Sequence, residues 1–209
     1  MNIVLASSSP RRSELLATIG LSFKVLEPNA REVGDAPGSA PLSLSPKEIA
    51  KTNALLKARK VSPMVNGDAV IVGADTIVVL QGELLGKPRS CREACQMLTR
   101  LSGKTHKVIT GVAVLNTHTG KEVLGSEETD VTFRRLSAKE IEGYVASGEP
   151  LDKAGAYGIQ GKGALLVQRV KGCYFNVVGL PLVRMVRLMR ASGFHFSLEG
   201  EGWRGGIDE

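Results

Sequence analysis

The sequence predicts an α/β domain, because apolar segments with strand character alternate with segments that carry helix-start signals. Asn2 to Ala6 is a short apolar strand, and Ser9-Pro10 after it supplies a capping residue and a proline at the start of a helix. Ser45-Pro46-Lys47-Glu48 is a capping box that opens a helix to about Lys60. The most apolar stretch, Ala69 to Leu80, predicts a buried central strand.

The remaining segments continue this alternation. The expected elements are a helix over Ser90 to Leu101, two paired strands over Lys107 to Asn116 and Glu122 to Phe133, a short strand over Tyr174 to Val178, and a last helix that starts at Pro181.

Length and composition predict a globular protein. The chain has 209 residues, of which 43% are hydrophobic, and no internal repeat or linker divides it. We expect one domain over residues 1–196 and a disordered, Gly-rich polar tail over residues 197–209. No apolar run approaches the ~20 residues that a membrane span needs, and no basic leader precedes the first strand. Three dispersed cysteines form no disulfide framework, which favours the cytoplasm.

The charge of the chain predicts affinity for anions. The formal net charge is +6 and the pI is near 9.3, which suits nucleic acids, acidic lipids and phosphorylated small molecules. The basic residues are scattered and only 4% of residues are aromatic, whereas single-stranded nucleic acid is usually bound by stacking on aromatic side chains. Small anionic ligands are therefore favoured.

The segment Ser7-Ser8-Ser9-Pro10-Arg11-Arg12 puts two cations in the first turn of a helix. Positive charge is unfavourable there, because that end of the helix carries partial positive charge and free N–H groups. Three hydroxyls, the backbone donors and two arginines together suit a phosphate. A solvated arginine pair on a surface helix would explain the same residues. The position between a strand and a helix favours the phosphate site.

Asp75 interrupts the apolar run of the predicted central strand, where an unpaired carboxylate is costly to bury. Gly73 and Ala74 beside it leave room for a ligand. We interpret Asp75 as a general base or metal ligand, with Glu32 from the long loop between Glu27 and Leu44 as a candidate second carboxylate. An aspartate that accepts hydrogen bonds from backbone amides at a strand end is the alternative.

Three lysines, Lys51, Lys57 and Lys87, each resemble ordinary surface charges when taken alone. Together with the arginine pair and the carboxylates they match phosphoryl chemistry, which depends on positioning and charge neutralisation. Other phosphate and metal motifs do not fit. Ser102-Gly103-Lys104-Thr105 resembles the end of a P-loop, but Leu98 occupies the place of the leading glycine, and the three histidines have no zinc-binding spacing.

Five motifs, which occur in order over nearly the whole chain outside the tail, resemble the Maf family of nucleoside triphosphate pyrophosphatases. They are Ser7 to Arg12, Gly73 to Val78, Gly86-Lys87-Pro88, Leu101-Ser102-Gly103 with Thr110-Gly111, and Asp152 to Gly161. The resemblance implies an α/β fold around a long bent mixed sheet flanked by helices, with two lobes around a cleft as in inosine triphosphatase. It also implies hydrolysis of a nucleoside triphosphate to the monophosphate and pyrophosphate with a divalent metal, magnesium or manganese. A cytoplasmic homodimer is the implied form.

The same resemblance assigns roles to individual residues. It makes Asp75 the catalytic acidic residue and gives Asp75 and Glu32 to the metal. The implied substrate-binding residues are Ser7, Arg11, Arg12, Lys57, Thr76, Lys87 and Gln160. Of these, Arg12, Thr76 and Gln160 match positions that are linked to substrate choice. The chain departs from the family pattern at Ser8, where glycine or alanine is common, and at Arg31, where an acidic residue is frequent.

Gln160 indicates the branch of the family. Gly158-Ile159-Gln160-Gly161 resembles the branch that acts on dTTP and UTP, and a neutral amide can pair with the carbonyl and N–H edge of a pyrimidine. A carboxylate at this position would suit a cationic methylated purine. The alternative function is a basic nucleic-acid-binding protein without turnover, whose affinity would fall steeply with salt. That alternative leaves Asp75 unexplained.

Overall fold

The computed structural model describes residues 1–30, 33, 44–199 and 202–206, in which strands and helices alternate as predicted. The strands are β1 (Asn2–Ala6), β2 (Lys24–Leu26), β3 (Ala69–Leu80), β4 (Glu83–Leu85), β5 (Thr105–Asn116), β6 (Glu122–Phe133), β7 (Val167–Lys171), β8 (His195–Glu199) and β9 (Gly202–Gly206). The α-helices are α1 (Pro10–Thr18), α2 (Pro46–Val61), α3 (Cys91–Leu101), α4 (Ala138–Ala146), α5 (Tyr174–Val178) and α6 (Leu182–Ala191).

A seven-stranded mixed sheet forms the centre of the fold. Its main order is β2-β1-β3-β5-β6-β7, and β4 pairs with β3. The three strands β2, β1 and β3 run parallel, whereas the pairs β3–β5, β5–β6 and β6–β7 are antiparallel. The α/β fold with helices flanking a mixed sheet is thereby confirmed.

One edge of β3 is left open in the middle of the strand. β5 pairs with its other edge from Val70 to Val79. On the open edge, β1 pairs only as far as Gly73, and β4 begins to pair at Val78. No strand in the described part of the chain pairs with residues 74–77 on this edge, and the gap between β1 and β4 is where a cleft can form.

The core divides along the same strands. One cluster of buried side chains packs around the first half of β3, with Leu5, Val72 and Met185 among its members. A second cluster packs around the second half, with Val78 and Leu98 among its members. β3 and β5 thus pass from one half of the domain to the other, and the gap in the sheet edge lies between them.

Helix α2 packs on the sheet at two glycines. A β-carbon on Gly73 would lie 2.1 Å from the carbonyl oxygen of Ala54, and one on Gly111 would lie 2.2 Å from the carbonyl group of Ala50. Any larger residue would force the helix away from β3 and β5. The capping box predicted at Ser45 is present and fixes the start of this helix.

Two segments differ from the sequence prediction in secondary structure. Tyr174–Val178 is helix α5, not a strand; a mostly apolar run of only five residues has no diagnostic periodicity, and glycines with positive φ at Gly172 and Gly179 turn the chain at both ends. In the segment predicted to be a disordered tail, β8 and β9 form a two-stranded antiparallel hairpin. Arg31 and Glu32 lie outside the described residues.

Candidate active site

A cavity of about 1210 Å³ lies at the gap in the edge of β3. It is lined by the loop after β1, by residues of β3 and α2, by the segment after β4 and by the Gly-rich loop from Asp152 to Gly161. Its size exceeds the ~300–1,000 Å³ of most small-molecule sites. The lining contains eight lysines or arginines and five aspartates or glutamates, so the cavity favours an anionic ligand.

The carboxylate of Asp75 is buried at the base of this cavity and contacts two side chains of α2. Lys57 donates from Nζ to Oδ1 at 2.7 Å, and Asn53 donates from Nδ2 to Oδ2 at 3.0 Å. The residue is only 5% exposed. The alternative in which Asp75 accepts from backbone amides does not describe these contacts, because both donors are side chains.

The spacing along α2 explains why both side chains reach Asp75. Asn53 and Lys57 are four residues apart, so they lie on the same face of the helix one turn from each other. That face lies against β3 because Gly73 and Gly111 let the helix approach closely. In the sheet, Gly111 is the register partner of Asp75, which puts the carboxylate directly under the helix.

Arg12 is buried, although it lies in the first turn of α1. Its Nε donates to the carbonyl oxygen of Gly179 at 2.8 Å, Nη1 donates to Ser7 Oγ at 3.1 Å, and Nη2 donates to Thr76 Oγ1 at 3.0 Å. The interpretation as a solvated arginine pair is therefore wrong for Arg12. This side chain holds α1 to β3 and to the turn before α6.

Thr76, which accepts from Arg12, is hydrogen-bonded in turn to Thr110 on the neighbouring strand β5. Thr110 Oγ1 donates to the carbonyl oxygen of Asn176 at 3.0 Å, so the hydrogen bond of 2.9 Å between Thr76 and Thr110 is donated by Thr76. Asn176 accepts from the backbone N–H of Thr110 and donates to Val108 O and Thr129 Oγ1. The position of Thr76 is thus fixed by buried groups on the face opposite α2.

Arg11 lies at the mouth of the cavity beside the Gly-rich loop. A β-carbon on Gly158 would be 3.4 Å from its Nη1. Burial alone would raise the pKa of the nearby Asp152, but the hydrogen bond from Lys153 and the positive charges of Lys153 and Arg11 outweigh it and lower that pKa. The positive charge of Arg11 therefore acts on groups at the cavity surface.

Hydrogen bonds to Tyr144 and Glu149 hold the backbone of the Gly-rich loop and of the residues that follow it. Gly158 N–H donates to the hydroxyl of Tyr144, which donates to Glu149 Oε1 at 2.9 Å, and Glu149 also accepts the N–H groups of Lys162 and Gly163. Burial raises the pKa of Glu149, but these three hydrogen bonds to its carboxylate and the positive charge of Lys153 lower it overall. The exposed Gln160 lines the cavity, and among the described residues its amide makes no side-chain hydrogen bond.

Comparison with known proteins identifies the family of this chain. The family model described as "Maf-like protein" matches residues 2–192. The chain belongs to the Maf family. The resemblance predicted from the five motifs is thereby confirmed.

Relatives within the Maf family share about half of their residues with this chain. A dTTP/UTP pyrophosphatase of Dictyoglomus turgidum is 50% identical over 192 residues, which is 92% of this chain and 96% of that protein. A dTTP/UTP pyrophosphatase of Moorella thermoacetica is 51% identical over 191 residues, or 91% of this chain and 95% of that protein. A dTTP/UTP pyrophosphatase of Symbiobacterium thermophilum is 48% identical over 200 residues, which is 96% of this chain and 98% of that protein.

The cavity of this Maf protein brings together the predicted site residues within the described part of the chain. It is lined by Ser7, Arg11, Arg12, Lys57, Asp75, Thr76, Lys87 and Gln160. Lys51 does not line it, and Glu32 lies outside the described residues. Sequence reasoning missed Asn53, although its position four residues before Lys57 was a usable signal.

The residues at the base of the cavity fit a divalent cation. Lys57 and Asn53 each use one lone pair of a different Asp75 oxygen, so further acceptor positions remain on both oxygens at the cavity. Magnesium is usually bound by one or two carboxylates together with substrate phosphates. Among the described residues there is no group of three or more His, Cys, Asp or Glu that could hold a metal ion alone. This donor set suits a metal that arrives with phosphates.

Proposed function

We propose that this protein hydrolyses dTTP and UTP to the monophosphate and pyrophosphate. The observation that carries the proposal is a buried carboxylate, Asp75, at the base of a large cavity whose other charged groups are mostly cationic. Relatives that are about 50% identical over more than nine-tenths of the chain are dTTP/UTP pyrophosphatases. A nucleic-acid-binding protein without turnover would not need a carboxylate at the centre of its anion site.

The reaction breaks the bond between the α-phosphorus and the oxygen that bridges to the β-phosphorus. A water molecule attacks, and pyrophosphate leaves. In the proposed mechanism Asp75 accepts the proton of the attacking water, and Lys57 holds the carboxylate in place from Oδ1. The fixed positions of both groups lower the cost of reaching the transition state.

The cationic groups around the mouth of the cavity bind the triphosphate in this proposal. Arg11 and Lys87 supply charge that reaches the cavity surface, and the loop from Ser7 supplies hydroxyls at the start of α1. Arg12 fixes that loop to Thr76 and to Gly179 through its hydrogen bonds to Ser7 Oγ, Thr76 Oγ1 and the carbonyl oxygen of Gly179. Neutralisation of a phosphate chain is the main source of catalysis in phosphoryl chemistry.

A divalent cation, magnesium or manganese, is part of the proposal. Asp75 would hold it, with Glu32 as the second carboxylate. When bound, such an ion neutralises phosphate charge and polarises a phosphoryl oxygen. The acceptor positions left on the Asp75 oxygens support this assignment.

Gln160 is proposed to select pyrimidines. The amide can donate to a base carbonyl and accept from the N–H between two carbonyls, as thymine and uracil require. Tyr144 and Glu149 already hold the loop, so the Gln160 side chain is not needed for that purpose. This contact with the base would come from the exposed side chain of a loop with a fixed backbone.

We also propose a cellular location and an oligomeric state. The three cysteines are free thiols, which supports a reducing compartment such as the cytoplasm. A homodimer is expected from the family resemblance and would be measured by light scattering after gel filtration. In the described part of the chain, no helix combines the length and the apolar character that crossing a membrane requires.

The test of the proposed function is a nucleotide panel with magnesium or manganese. Pyrophosphate and nucleoside monophosphate should form in equal amounts from dTTP and UTP, and much more slowly from ATP, GTP and 7-methyl-GTP. Release of single phosphates, or binding of RNA or DNA that weakens steeply with salt and is not accompanied by turnover, would reject the proposal.

A further inference from the structure

Asn53 makes contacts with two separate parts of the site through one buried side chain. Its Nδ2 donates to Asp75 Oδ2 at 3.0 Å and to the carbonyl oxygen of Val33 at 3.1 Å, and its Oδ1 accepts from the N–H of Val33 at 2.7 Å. Asn53 is only 2% exposed. Both amide hydrogens and the carbonyl oxygen are therefore engaged.

These contacts join the catalytic carboxylate to the segment between β2 and α2. Val33 presents its N–H and its carbonyl to the same amide, as a neighbouring strand would. One amide group therefore contacts both the backbone of Val33 and the carboxylate of Asp75.

Asn53 also completes the orientation of the carboxylate. Of the two carboxylate oxygens, Oδ1 accepts from Lys57, and one such contact by itself leaves the carboxylate plane able to rotate. The hydrogen bond from Asn53 to Oδ2 fixes the second oxygen. The remaining acceptor positions then face the cavity in a defined direction.

We propose that Asn53 is a positioning residue for the reaction: it fixes the plane of the Asp75 carboxylate and the backbone of Val33 relative to each other. This inference rests on the proposed function, in which Asp75 acts on the attacking water. Asn53 itself does not touch the nucleotide in this proposal. Its loss should therefore slow turnover and leave the affinity for the substrate nearly unchanged.

The experiment compares Asn53→Ala with a matched control, Asn116→Ala. Asn116 is also a fully buried amide that contacts backbone groups, but it lies at the far end of β5, opposite Val70. Steady-state kinetics with dTTP, thermal unfolding and circular dichroism would be measured on the wild type and both variants. If Asn53→Ala is not folded at the assay temperature, Asn53→Ser replaces it in the same measurements.

For the Asn53 variant we expect kcat to fall roughly 10–100-fold, as for other groups that orient a reacting ligand, with KM within about threefold of the wild type. The Asn116 variant should lose thermal stability and keep its kcat. Equal kcat losses in the two folded variants would reduce Asn53 to a structural role and overturn the inference. A wild-type kcat, or a change in KM alone, would also overturn it. Absence of pyrophosphate release by the wild type would instead reject the proposed function itself.

Discussion

Lys57 Nζ lies 2.7 Å from Asp75 Oδ1, and both side chains are more than nine-tenths buried. This ion pair contributes to folding and to the proposed chemistry together. Two charges were removed from water to form it, so the loss of one leaves the other in a poorly solvated position. Substitution of Asp75 therefore affects stability as well as turnover.

Asp75→Asn should abolish turnover of dTTP, because the amide keeps the size of the side chain but loses its charge and basicity. It should also lower the free energy of unfolding by about 3–5 kcal/mol, the usual result of removing one partner of a buried pair. Urea unfolding and a pyrophosphate assay would measure the two effects.

A double variant, Lys57→Met with Asp75→Asn, separates stability from chemistry. It should regain most of the lost stability, because the buried cation is gone, and still show no turnover. Near-normal turnover in Asp75→Asn would rule out Asp75 as the base.

The two arginines at the start of α1 should respond differently to substitution. Arg12→Ala removes three hydrogen bonds to buried oxygens, so it should lower the free energy of unfolding by about 1–3 kcal/mol or more and also lower kcat/KM. Arg11→Ala should change the free energy of unfolding by less than about 0.5 kcal/mol. It should lower kcat/KM by the equivalent of about 1.5–3 kcal/mol, because it loses a charge-assisted contact with phosphate.

Thermal unfolding and steady-state kinetics on both variants test this difference. Arg12→Lys is a useful third variant, since it keeps the charge but cannot make the same three contacts. Equal stability of Arg11→Ala and Arg12→Ala would contradict the structural role of Arg12. Unchanged kinetics for Arg11→Ala would remove it from the phosphate site.

Much of this site could be predicted from sequence, because the signals are local. A carboxylate in an apolar strand indicated Asp75, and the strand–loop–helix order indicated a candidate anion site at Arg11 and Arg12, both of which line the same cavity. The contact of Asn53 could not be predicted in the same way. It depends on how closely α2 approaches β3, which is set by Gly73 and Gly111, residues distant from Asn53 in the sequence.

The burial of Arg12 is a second example. One of its acceptors, the carbonyl oxygen of Gly179, is 167 residues away, at the end of a segment that the sequence predicted to be a strand. Asn176 in that segment contacts the backbone of β5, and this contact exists only because the segment is helical and lies against the sheet. Local propensity cannot specify which backbone oxygen a distant guanidinium will meet.

We expect His106 to make the stability of this protein depend on pH. Burial lowers the pKa of its imidazole to about 4, and its Nε2 lies 2.8 Å from the hydroxyl of Tyr157. In the unfolded chain the pKa is near 6.5, so the unfolded state binds the proton first as the pH falls. The contribution of neutral His106 to the free energy of unfolding amounts to about 3 kcal/mol. It is complete above about pH 6.5 and is lost as the pH falls from 6.5 to 4.

The test compares urea unfolding of the wild type and His106→Phe at pH 7 and pH 4. The ring of His106 packs edge-on against Phe133 and Tyr157, which a phenylalanine ring can also do, whereas only histidine can be protonated. The wild type should lose about 3 kcal/mol more stability than the variant over this range. His118→Gln, at an exposed histidine, is the control and should follow the wild type. Parallel pH profiles of the wild type and His106→Phe would show that His106 does not cause the loss.

The last prediction concerns Gln160, whose exposed side chain lies on a loop held by Tyr144 and Glu149. Gln160→Glu should weaken the use of dTTP and UTP, because the carboxylate has no donor and faces the carbonyl oxygens of the base with a negative charge. Loss of such a paired contact is worth about 1–3 kcal/mol, or roughly one to two decades in kcat/KM. The measurement is kcat/KM for dTTP and for 7-methyl-GTP. Glu149→Gln serves as the control, since it disturbs the loop without changing the base contact and should slow both nucleotides alike. If Gln160→Glu also leaves the ratio of the two values unchanged, Gln160 does not select the base.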